Sequence, residues 1–221
     1  MSLTKRIQCL FLVFTMTAHF GLAAPVETQT RIKNAVDVLN RLANSSGHGI
    51  SAEQLANADC VAVIPGFTKG AAVVGVGFGR GFISCRNGDK WSAPGAVTLE
   101  SGSLGVQAGG EKINIVILSL DKNLRSKLLS SRFTIGADAS ASWGNGKSAR
   151  NDPNAKLLFF GQSGGIFAGF GLDGATLKTD DSGDKALYGK PMANSEIIGG
   201  QIEPPAVATP LLEDLNRLAS R

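Results

Sequence analysis

The chain has 221 residues, 28 of them glycine, with 6% aromatic residues and a formal charge of +4. That length suffices for one sizeable domain with its own core. So small a basic excess does not point to nucleic acid as a partner.

The first 23 residues read as a secretory signal peptide. Lys5 and Arg6 form a short basic region, residues 7–22 are mostly apolar, and Gly21-Leu22-Ala23 supplies small residues for cleavage after Ala23. A transmembrane anchor or buried helix is the competing reading. The run is short for a span and lacks a stop-transfer flank. Loss of Lys5 and Arg6 leaves a charge of +2. Cys9 precedes the apolar run, so it is no lipoprotein acylation site. The expected location is periplasmic or secreted. Cys60 and Cys85 remain as one even pair, which an oxidising compartment favours bridging. A bridge would be worth on the order of 3 kcal/mol in the chain-entropy model. Two buried thiols are the alternative.

Residues 26–44 carry Ile32, Ala35, Val36, Leu39, Leu42 and Ala43 at helical spacing. Ser51-Ala52-Glu53-Gln54 has the form of a capping box opening a short helix. Residues 60–64 read as a strand stopped by Pro65-Gly66, and residues 71–85 as a second, followed by a hairpin turn at Asn87-Gly88 into Trp91. Further strands are expected at 96–99, 103–108, 113–118, 133–141, 157–162 and 166–172. Asp121 is placed to cap a helix facing Leu124, Leu128 and Leu129 inward. Residues 143–154 and 179–185 read as loops. Pro204, Pro205 and Pro210 mark a linker, and Thr209-Pro210 opens a terminal helix with Leu211, Leu212, Leu215 and Leu218 on one face. With more strands than helices and no regular alternation, the fold class is α+β: glycine-rich antiparallel sheet packed with flanking amphipathic helices.

Gly75, Gly77, Gly79 and Gly81 recur at every second residue, the strand period. One strand face is thus almost bare of side chains, which marks close approach by a helix, a strand or a ligand. Three motif matches fail on context. Residues 141–148 fit a relaxed phosphate-loop pattern, but Asn151-Asp152-Pro153 follows where a helix is needed. Residues 161–165 fit a nucleophile elbow, yet no histidine lies after Ser163. Asp180, Asp181 and Asp184 lack calcium-loop spacing and read as a solvated turn. No His/Cys set has zinc spacing. No catalytic residue, metal or cofactor is expected.

Seven segments in one order resemble the SYLF lipid-binding domain family. They are residues 58–65, 69–81 and 91–94, then 102–109, 136–140, 163–174 and 187–189, within a likeness running from about Val26 to Lys190. The resemblance implies a non-enzymatic domain that binds phospholipid, in relatives that include actin-patch proteins carrying Src-homology modules. Its lipid-binding positions map here to Arg31, Lys33 and Arg41 on the first helix and to Lys69 at the entry to the glycine-rich strand. The signal peptide makes this chain resemble an exported, bacterial-type member, with anionic phospholipid or a membrane surface as expected partner. The expected organisation is a signal peptide at 1–23, the SYLF-like domain at 24–200, and a linker with terminal helix at 201–221. A structural or protein-interaction module is the alternative.

Overall fold

A computed structural model describes residues 24–45, 49–70, 75–103, 111–143, 155–163, 166–167, 172 and 174–220. The expected signal peptide, the strand at 103–108 beyond its first residue, and most of the 143–154 loop lie outside them.

Two helices open the described chain, α1 (Val26–Ala43) and α2 (Ala52–Asn57). Ser51 caps α2 through the Gln54 amide while the Gln54 side chain accepts from the Ser51 amide, so both halves of the capping box are present. The sheet follows with β1 (Cys60–Gly70), β2 (Gly75–Asn87), β3 (Lys90–Trp91), β4 (Gly95–Ser103) and β5 (Glu111–Ser119). A 3-10 turn capped by Asp121 leads into α3 (Arg125–Leu128), burying Leu124, Leu128 and Leu129 as expected. Then come β6 (Arg132–Thr134), β7 (Ala141–Trp143), β8 (Leu157–Ser163), β9 (Ile166–Phe167) and β10 (Thr176–Thr179). Helices α4 (Asp181–Tyr188), α5 (Asn194–Gly199) and α6 (Thr209–Ala219) complete the chain.

The strands form one sheet in the order β6-β10-β4-β2-β1-β5-β8-β7, with β3 on β2 and β9 on β8. Every pairing between named strands is antiparallel except β7 with β8. Phe133 of β6 and Leu157 of β8 lie near opposite ends of this order, yet line one small interior space, so the sheet curls on itself. The inner face gathers Ile64, Phe67, Ile83, Leu99, Ile115 and their neighbours. The outer face buries Val61, Val63, Phe82, Val116 and Leu118 beneath α1, α2 and α6. This is the expected α+β class. All four leucines expected on the inner side of α6 are buried, and Arg217 donates to Asn40 Oδ1 at 2.7 Å, tying α6 to α1.

The bare face of β2 is filled by its neighbour. Gly77, Gly79 and Gly81 share the inward parity of Ile83. A Cβ on Gly81 would strike the Val63 carbonyl oxygen, one on Gly77 the Phe67 ring, and one on Gly79 would stand 2.6 Å from Ile64 Cγ2. Strand β1 reaches this close through a bulge between Ile64 and Phe67, where Gly66 takes φ +62°. The strand therefore does not stop at Pro65-Gly66. It bends there and runs on to Gly70.

Other expectations also change. The strand expected over 133–141 is broken: β6 ends at Thr134, a turn closes when the Asp138 carboxylate accepts from the Thr134 amide (2.7 Å), and β7 begins at Ala141. The expected loop at 179–185 is mostly helix α4, because Asp180 caps the Gly183 amide and Gly189 ends the helix at φ +75°. Thr209 is the first residue of α6 and not its cap, since a 3-10 turn over Ala206–Ala208 already leads in.

Candidate functional site

The three basic residues singled out on α1 are not gathered into one patch. Lys33 bonds Asp37 at 2.8 Å, and Arg41 Nε donates to the Asp37 carbonyl at 3.2 Å, so both stand on the exposed side of α1. Arg31 turns instead toward the sheet, bonding Glu27 at 2.6 Å and standing 3.6 Å from Asp180. Lys69 occupies β1 opposite Gly77 on β2 and Glu111 on β5. The apolar side of α1, with Ile32, Ala35, Val38, Leu39 and Leu42, is consumed by the outer core.

Cys60 and Cys85 are bridged. They are direct cross-strand partners with Cα atoms 3.9 Å apart. The adjacent pair carries the ladder bond, from the Arg86 amide to the Asp59 carbonyl, so the cysteines sit at the non-bonded site where side chains come closest.

Arg31 belongs to a charged seam joining α1, β2 and α4, in which Asp180 of the acidic cluster meets Arg80 and Glu27, two residues that no motif marks. Arg80 Nε lies 3.0 Å from Asp180 Oδ2, its Nη2 donates to Asp180 Oδ1 at 3.0 Å, and Nη1 stands 3.4 Å from Glu27. Ser182 and the Gly183 amide also donate to Asp180. Burial pushes the Asp180 carboxyl up, but the bonds from Ser182, Gly183 and Arg80 outweigh it and hold the group below the usual carboxylate range. The available signal was Arg80 itself, the single charged residue between Lys69 and Arg86.

A second buried acid sits one helical turn on. Asp184 is fully buried, accepts the Ala96 amide at 2.6 Å through Oδ1, and leaves Oδ2 without a hydrogen bond. Burial pushes its pKa up to about 7, against the lowering effect of the Ala96 bond. Asn194 Nδ2 donates to the Ala96 carbonyl, and the Tyr188 hydroxyl donates to the Pro94 carbonyl at 2.6 Å. Both helices α4 and α5 are thus tied to the first residues of β4. The acidic cluster that reads as a solvated turn is, at Asp180 and Asp184, buried and structural, because the helix folds those two side chains inward.

Below Arg80 the helical cover ends. Val76 and Phe78 project from the outer face of β2 at 64% and 50% exposure. A groove of about 560 Å³ runs between α1 and the β1–β2 face, from Glu27, Arg31 and Arg80 to Thr68 and Phe78. A second, of about 390 Å³, lies on the other side of Phe78, lined by Glu100, Arg132 and Thr176. Inside the curled sheet, the space lined by Cys60, Ile83, Phe133, Leu157 and Leu177 is about 10 Å³, room for about one water molecule. Among the described residues no group of three or more His, Cys, Asp or Glu side chains is placed to hold a metal, and no helix is long and apolar enough to cross a membrane.

These features define an α+β module of curled sheet and docked helices. The chain belongs to the Ysc84 family, described as Las17-binding protein actin regulators, whose model matches residues 100–218; this is the SYLF family. It is 30% identical over 169 residues to Protein YSC84 of Saccharomyces cerevisiae, covering 68% of this chain and 36% of that protein. It is 26% identical over 209 residues to SH3 domain-containing YSC84-like protein 1 of Mus musculus, covering 89% and 61%. LAS seventeen-binding protein 3 of Saccharomyces cerevisiae is 29% identical over 150 residues, covering 64% and 33%. The chain thus spans from a third to about three-fifths of the length of these relatives. No solved structure matches it.

Proposed function

We propose that this chain is a non-enzymatic phospholipid-binding protein of the bacterial envelope, periplasmic or secreted, which meets anionic lipid through basic and amphipathic surface. The observation that carries the reading is the exposure of cations on α1, beside an inner-sheet space too small for lipid among the described residues. The space of about 10 Å³ between Phe133, Leu157 and Leu177 is too small for an acyl chain, which supports contact at the surface, where Lys33 and Arg41 stand exposed on α1. The Cys60–Cys85 bridge suits an oxidising compartment, in keeping with a leader at residues 1–23. Co-sedimentation of residues 24–221 with phosphatidylglycerol vesicles at low salt tests the reading. Pelleting that fades as salt rises is the expected result, and an unbound protein at low salt would sink it.

A second reading is an envelope module that binds protein and not lipid. It is favoured by relatives whose names describe Las17 binding and SH3 domains. Absence from the vesicle pellet, with recovery of a specific protein partner after crosslinking in the envelope, would favour it.

A further inference from the structure

We propose that the lipid-contacting surface is the open end of β2, with Val76 and Phe78 entering an anionic lipid surface between Lys112 and Arg132. The inference rests on the phospholipid reading above and moves its contact from α1 to the sheet. Helix α1 is poorly suited to the task. Its apolar side is already in the core, Arg31 is held by Glu27 and Asp180, and Lys33 is paired with Asp37, which leaves Arg41 as the single cation of α1 with no ion pair among the described residues.

The sheet below the charged seam offers what α1 lacks. One row of paired residues crosses its outer face as Lys112, Thr68, Phe78, Glu100 and Thr176. Val76 lies on the same face one step nearer the end of β2. Arg132 borders the 390 Å³ groove beside both apolar side chains. Glu100 is paired with Lys178, and Arg80 with Glu27 and Asp180. Lys112 and Arg132 are exposed and form no ion pair among the described residues. Among the described residues the apolar pair is therefore flanked by two positive charges outside any ion pair, which complements an anionic surface.

Area separates a lipid surface from a second copy of the chain. Val76 and Phe78 together expose on the order of 200 Å² of apolar surface. A stable protein interface needs about 800 Å² from each partner. Shallow insertion into a lipid surface needs only a few apolar side chains assisted by cations, each contributing roughly fivefold to partitioning.

The test uses residues 24–221 with vesicles of phosphatidylglycerol and phosphatidylcholine in equal parts at low salt. Val76→Ser with Phe78→Ser should reduce partitioning by at least about tenfold without lowering Tm, since both side chains are exposed. Lys112→Glu with Arg132→Glu should do the same. Phe78→Trp should gain emission that shifts to the blue on vesicle binding and is quenched by lipids brominated along the chain, over the background of Trp91 and Trp143. Failure of the unaltered protein to pellet would overturn the phospholipid reading together with this one. Pelleting that the serine variant retains, with no quenching of the emission gained in Phe78→Trp, would overturn this placement alone. A concentration-dependent dimer lost in the serine variant, again without quenching, would assign the patch to self-association and overturn it as well.

Discussion

Phe82 and Phe78 lie four residues apart on the same face of β2 and meet opposite fates. Phe82 is 1% exposed under α1, whereas Phe78 is half exposed in front of two grooves. The strand and side chain are the same; what differs is the cover. Helix α1 ends above Arg80, where Glu27 and Arg31 close the seam with Asp180. A charged boundary thus divides one strand face into a part that holds the fold together and a part left for the outside.

The sharpest way to break this contrast is to truncate its buried side. Phe82→Ala should cost about 3–5 kcal/mol in urea denaturation. Opening the Cys60–Cys85 bridge with paired serine substitutions removes the crosslink at the covered end of β2. It should cost about 2–4 kcal/mol, seen as a lower urea midpoint. Arg80→Ala leaves the Asp180 carboxylate buried with a weaker partner. A loss of about 2–3 kcal/mol is expected, below the usual range for a broken buried pair because Arg80 is one-third exposed.

Asp184→Asn works in the other direction. The folded state holds the Asp184 proton up to about pH 7, whereas the unfolded chain releases it near its ordinary value of 3.8. Between those limits the native state binds the extra proton, so stability falls as pH rises from about 4 to about 7 and is level above. Asparagine keeps the acceptor for the Ala96 amide without the charge. It should raise stability at neutral pH by on the order of 1–2 kcal/mol and flatten that slope in denaturation curves taken across pH. Asp180, held low, acts only in more acidic solution, where protonation removes its bond to Arg80. The smallest effect belongs to the open side: Phe78→Ala should leave Tm within the spread expected of a surface change, about 0.5 kcal/mol.

What the sequence disclosed follows the range of the forces involved. Helices α1 and α2, the Asp121 cap and the turn before Trp91 rest on periodicity and near-neighbour bonds, so they were readable. The hairpin is a two-residue loop at Gly88-Asp89 with Gly88 at φ +62°. The glycine run was readable as a bare strand face, but its filler was not, because Ile64 and Phe67 reach it through a bulge at a Pro-Gly pair that locally resembles a stop. Helix α4 was hidden for a related reason. Asp, Ser and Gly favour turns, and only burial of Leu187 and bonding of Asp184 to β4 reveal a packed helix. The seam joins Glu27, Arg80 and Asp180 from three distant parts of the chain, beyond the reach of any local pattern. Cys60 and Cys85 were readable as a pair once Cys9 was set aside with the expected leader.

The bulge of β1 against the glycines of β2 also acts as a key in a lock. A strand bare on one face is ordinarily free to slide along its neighbour. Here a slip of one residue would turn Phe78 and Phe82 inward, into space already held by Phe67 and the Val63 backbone. A one-residue slip is thus closed off, and the alternation of glycine with large side chains decides which face of β2 turns toward the bulge of β1.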